Sequence, residues 1–166
     1  MIDRSLRRRA RILLLAGIAC FAGRAEFPPS VWDGIYTEQQ AQRGDAAYHR
    51  YCASCHGPKL EGTAQGPSLV GSDFRADWDL TALGDIVDEI QISMPANRPG
   101  QLSETTNAAI LAYLLKSNKF PSGTKELPAG ADPLRGIVFA SRRFGQSQSQ
   151  SSVALLPHSN LTHPLR

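Results

Sequence analysis

Apolar residues recur at helical spacing in three stretches of the chain. Leu80, Leu83, Ile86, Val87 and Ile90 predict a helix over 80–92. Ala108, Ile110, Leu111, Tyr113, Leu114 and Leu115 predict a second, which Ser103 can cap. A third runs from Thr37 to about Tyr51 and opens on Thr37-Glu38-Gln39-Gln40, the spacing of a capping box. Residues 57–73 and 93–103 are rich in Gly and Pro and read as loops. Pro121, Gly123 and Pro128 then break the periodicity, and the alternating Gln and Ser from Gln146 have none. The expected organisation is a leader over 1–25, an extended lead-in over 26–35, a domain over 36–118 and an irregular, flexible C-terminal extension over 119–166. The fold class is all-α, with three main helices plus short ones.

A domain of about 85 residues buries only about 60–65% of its unfolded surface. Its two longest loops lie inside it, where a self-sufficient helical bundle would have short connections. Something other than protein is expected to fill the middle.

Composition narrows the classes. Of 166 residues, 42% are hydrophobic and 20% charged, which excludes a wholly disordered chain and a polytopic membrane protein. The net charge of +3 is unevenly spread. Residues 1–25 hold six Arg and one Asp, residues 26–133 eight Lys/Arg and 14 Asp/Glu, and residues 134–166 four Arg and no acid. The segment expected to fold is therefore acidic, which argues against a nucleic-acid partner. At the start, Arg4, Arg7, Arg8, Arg9 and Arg11 precede an uncharged run from Ile12 to Gly23. A basic head and a short apolar run read as a secretory signal peptide, with small residues Gly23 and Ala25 for cleavage before Glu26. The run falls short of the about 20 apolar residues a bilayer span needs, so an uncleaved anchor is the weaker alternative and no permanent span is expected. Cys20 lacks a lipobox leucine three residues before it and belongs to the leader. Export places the chain in the periplasm, where thiols oxidise unless they are engaged.

The chemistry concentrates at Cys52-Ala-Ser-Cys55-His56. Two cysteines three apart, followed at once by histidine, signal covalent attachment of a c-type haem. On one helical turn Cys52 and Cys55 share a face, so each can form a thioether with a haem vinyl group, while His56 turns its imidazole onto the iron. A zinc site would need four Cys or His ligands, and no second cysteine pair exists beyond the leader. A thioredoxin-like redox pair would need a βαβ setting, which the pattern lacks. For the other side of the iron, Met94 is the only methionine after the leader, in a loop that Pro95 stiffens. His49 lies one turn before Cys52 on the same helix and cannot reach that side.

From these residues the chain resembles the class I cytochromes c over about 36–118. Gly44, Tyr48 and Cys52 are spaced by four. In that family this stripe lets the first helix cross closely over the last, here with Ile110 and Tyr113 as partners. Gly66-Pro67-Ser68-Leu69 resembles the family segment whose proline carbonyl accepts the proton of the histidine's Nδ1. The resemblance makes Pro67 the partner of His56 and places Leu69 beside the haem. Trp78 is similar to the family tryptophan that reaches a haem propionate. Arg98 is either a propionate counter-charge or a solvated surface residue. The texture is also similar to the cytochrome modules of bacterial quinoprotein dehydrogenases.

The expected function is periplasmic electron transfer by one covalent haem c, its iron held by His56 and Met94, exchanging electrons with redox partner proteins such as a quinoprotein dehydrogenase or a terminal oxidase. Two readings compete: a haem enzyme or gas sensor with an open sixth site, and a cytochrome subunit of a dehydrogenase. No catalytic constellation and no Walker-type or Rossmann-type glycine loop is present.

Overall fold

The computed structural model describes residues 27–145. The leader and residues 146–166 of the tail fall outside that range. The described part is dominated by helices. The first, α1 (Glu38–Tyr51), starts where Thr37 accepts a hydrogen bond from the Gln40 amide at 3.1 Å. A single turn, α2 (Ala53–His56), and α3 (Gly71–Asp77) follow. Next come α4 (Leu83–Ser93) and α5 (Glu104–Ser117), the latter capped by Ser103, which accepts from the Thr106 amide at 3.2 Å.

Helix α5 buries residues nearly all round, from Asn107 through Leu115, as the central element of a core must. It packs most extensively on α1. Gly44 permits that crossing: a Cβ there would stand 1.8 Å from the Ala109 carbonyl oxygen and 2.9 Å from Tyr113 Cβ. Of the two expected partners, Tyr113 meets Gly44. The Ala109 backbone is nearer still, and Ile110 lines an internal cavity.

After residue 118 the chain is largely irregular, as expected, but as far as it is described it packs onto the domain rather than standing free. Phe120, Leu127, Leu134, Phe139 and Ala140 are buried, and a 3-10 turn forms at Asp132–Leu134. A strand β2 (Val138–Phe139) pairs antiparallel with β1 (Thr81–Ala82), and Val138 also bridges to Ser30. The buried Gln40 side chain clamps Leu127, donating to its carbonyl at 2.9 Å and accepting from its amide at 2.8 Å. Trp32 Nε1 donates to the Ala140 carbonyl at 2.9 Å. The anchors of this strap are far apart in sequence and follow no period, so its order comes from long-range contacts. The 57–73 loop also ends early, because α3 forms from Gly71. The predicted start of α4 at residue 80 shifts to Leu83, because Thr81 and Ala82 join the ribbon.

Candidate functional site

Helix α1 breaks at Cys52, whose φ of −120° and ψ of −34° leave the regular helix. The chain then winds one more turn. The amides of Cys55 and His56 both donate to the Cys52 carbonyl, at 3.1 and 3.0 Å. Gly57 ends the turn at φ +81°, a conformation that favours glycine, and the Tyr48 hydroxyl donates to its carbonyl at 2.6 Å. This local winding brings Cys52, Cys55 and His56 to the wall of one cavity of about 1170 Å³. Ordinary small-molecule pockets run about 300–1,000 Å³.

The orientation of His56 is set by the loop beside it. Its Nδ1 lies 2.8 Å from the Pro67 carbonyl oxygen. A carbonyl only accepts, so Nδ1 carries the proton and Nε2 keeps its lone pair. Gly66 lets the loop lie flat against the ring, since a Cβ there would stand 3.0 Å from both Nδ1 and Cε1. The loop is fixed in turn: the Leu69 amide donates to the Leu60 carbonyl at 2.9 Å. The buried Asn118 side chain donates to the Leu69 carbonyl at 2.9 Å and accepts from the Gly71 amide at 3.2 Å.

Met94 lines the same cavity. It ends α4 in extended backbone, its amide donating to the Ile90 carbonyl at 3.2 Å. Pro67, Leu69, Trp78 and Arg98 also line the cavity, so the structure brings all eight sequence-derived site residues to one cavity. Trp78 is half-buried there, and Arg98 is exposed at the rim. Sequence reasoning missed Phe74, buried on α3 and part of the wall. The signal for it is weak, because Phe74 is the one large apolar residue in its helix. It also missed Thr63, whose hydroxyl donates to the Cys55 carbonyl at 2.5 Å.

Both thiols are free. Burial, with the nearby Cys55 adding to it, pushes the Cys52 thiol up to about 11. Among the described residues, no group of three or more His, Cys, Asp or Glu side chains could hold a metal ion. A large cavity, a thiol pair on its wall, an imidazole with its tautomer set and a thioether fit a flat metal-bearing ring attached through sulfur.

Residues 39–114 match the family described as cytochrome c oxidase, cbb3-type, subunit III. Among solved structures the chain is similar to one in the crystal structure of the sulfane dehydrogenase SoxCD from Paracoccus pantotrophus. That likeness has 22% identity and a TM-score of 0.43, over 89% of this chain and 86% of that one. Comparison with curated proteins finds no match.

Proposed function

We propose, from the match of residues 39–114 to a cytochrome family, that the chain is a class I c-type cytochrome and a periplasmic electron carrier, in which Cys52 and Cys55 would hold one haem covalently and His56 and Met94 would hold its iron. The domain itself implies haem c, iron and redox partner proteins. When bound, the group supplies an iron that takes up and returns one electron. The rest is the work of the chain.

The observation that carries the reading is the one cavity lined by Cys52, Cys55, His56 and Met94, with His56 Nδ1 bonded to the Pro67 carbonyl. The Pro67 carbonyl fixes the ring and leaves Nε2 as the donor atom. Phe74, Ile86, Ile90, Ile110 and Leu114 line the cavity and exclude water, which favours the less charged state of whatever sits there. With His56 and Met94 both used as ligands, no position remains for a substrate, so the role is transfer of electrons rather than transformation of a molecule.

The leader supports a periplasmic location. Among the described residues no helix is long and apolar enough to cross a membrane. For partners we propose a terminal oxidase or a dehydrogenase; the family match is to an oxidase subunit. The test is Met94→Ala. This variant should lose the sulfur-to-iron absorption at the red end of the ferric spectrum and begin to bind carbon monoxide. Ready binding of carbon monoxide by the unaltered ferrous protein would overturn the carrier reading in favour of an open sixth site.

A further inference from the structure

A second concavity, of about 760 Å³, lies outside the cofactor site. Its walls come from α3 (Ser72, Arg75, Ala76), from Asp79 and Leu80, and from the strap after β2. Three features set this face apart. The first is exposed apolar surface. Leu80 is 68% exposed and Phe27 56%; the one other large apolar side chain as exposed among the described residues, Ile92 on α4, does not line this groove. Phe27 stacks on Phe144 with ring centroids 5.4 Å apart, and Phe144 lines the groove, so the apolar surface continues from Leu80 to Phe27. The second is backbone strain. Leu80 holds φ +62°, the left-handed region that disfavours side chains with a Cβ. Neither the core nor the backbone gives a reason for leucine at this position, which points to a contact made outside the molecule.

The third feature is charge. Arg75, Arg142 and Arg143 line the groove with Asp79, whose carboxylate accepts a hydrogen bond from the Ser141 amide at 2.7 Å. Among the described residues the ion pairs engage Arg43, His49, Lys116 and Arg135, and none of the three groove arginines. Between residues 27 and 145 the chain holds 11 Lys/Arg and 13 Asp/Glu, so the body is slightly acidic while this groove gathers three of its arginines.

From this juxtaposition we propose that the Phe27–Leu80–Phe144 face, with Arg75, Arg142 and Arg143, is a docking surface for an anionic lipid bilayer. Aromatic and aliphatic side chains flanked by arginines are the chemistry of a membrane interface. An acidic body with one basic-apolar face is attracted to a negative surface in one orientation only. The face is separated from the cofactor cavity by α3, which presents Arg75 and Ala76 to the groove and Phe74 to the cavity. The docked carrier would therefore keep α3 between its cofactor and the lipid, and its opposite surface open to soluble partners.

The test is flotation of the full-length, haem-loaded protein with vesicles of phosphatidylcholine and phosphatidylglycerol in a 3:1 ratio (a probe composition), against vesicles of phosphatidylcholine alone. The expected result is binding to the anionic vesicles that weakens as salt is raised, and little binding to the neutral ones. The R142A/R143A variant should bind the anionic vesicles about thirtyfold more weakly, the effect of two basic residues at an anionic surface. L80D should also bind more weakly, whereas K119A/K125A, with the same change in net charge elsewhere, should bind as the unaltered protein does. Equal binding to both vesicle types would assign attachment to the leader and overturn the proposal. So would no binding to either, or equal losses in the two double variants; no binding would leave the groove to a protein partner.

Discussion

The wall around His56 and the wall around Met94 close the same cavity but are held by different means. Around His56 the hydrogen bonds are dense and local. The Gly62 amide donates to the His56 carbonyl at 2.8 Å, the Thr63 amide to the Gly66 carbonyl at 2.8 Å, and the Ser68 hydroxyl to the Leu60 carbonyl at 3.0 Å. Asn118 then ties the loop to the end of α5. Around Met94 the bonds are few. The Arg98 amide donates to the Pro95 carbonyl at 2.8 Å and the Gln101 amide to the Arg98 carbonyl at 3.4 Å. Each loop holds two prolines, so the contrast lies in the hydroxyls of Thr63 and Ser68, which reach backbone carbonyls in the first loop. The His56 ring is thus preset by the protein, and Met94 sits on a segment held by fewer hydrogen bonds.

The largest expected effect removes the platform both walls stand on. Gly44→Val places side-chain atoms inside the Ala109 backbone and should cost about 3 kcal/mol or more, read as a collapse of the thermal melt. A melt like that of the unaltered protein would show that α1 and α5 do not cross there. Next, Gly66→Ala presses on the His56 ring and should cost about 1–3 kcal/mol. Gly100→Ala on the Met94 side, where φ is +73° and the nearest atom is 3.7 Å away, should cost only about 1 kcal/mol. The reverse order would break the contrast between the walls.

Hydrogen exchange sharpens the same comparison without a substitution. The amides of Gly62, Thr63 and Leu69 should exchange roughly tenfold or more slowly than those of Arg98 and Gln101. Equal rates would mean that both walls are equally fixed. The smallest effect lies away from either wall. The Tyr36 hydroxyl donates to the Phe120 carbonyl at 2.7 Å, and burial, with Glu38 adding to it, pushes the phenol up to about 12. The folded state therefore holds this proton where the unfolded chain releases it. Its contribution is complete below pH about 10 and is lost as pH rises toward 12. Tyr36→Phe should cost about 1 kcal/mol at neutral pH and flatten the alkaline fall in stability; an unchanged alkaline profile would count against the assignment.

What could be read from the sequence follows the range of the interactions. Helices α1 and α5 announce themselves through Thr37 and Ser103, caps that act within three residues. The Cys52–His56 turn is equally local, and so is the pairing of His56 with Pro67, 11 residues on. The strap from Phe120 to Ala140 is not legible, because Gln40 meets Leu127 across 87 positions and Trp32 meets Ala140 across 108. Helix α3 is hidden for another reason: with only Phe74 turned inward it has no apolar period to detect. Placing Met94 in a loop after a helix followed from the pattern, whereas the apolar wall shared by α3, α4 and α5 emerges only from their packing.

Extraction of the purified, matured protein with acidified acetone tests the central claim most directly. Attachment through Cys52 and Cys55 predicts that the colour stays with the precipitated polypeptide. A colourless protein, or pigment passing into the acetone, would contradict it.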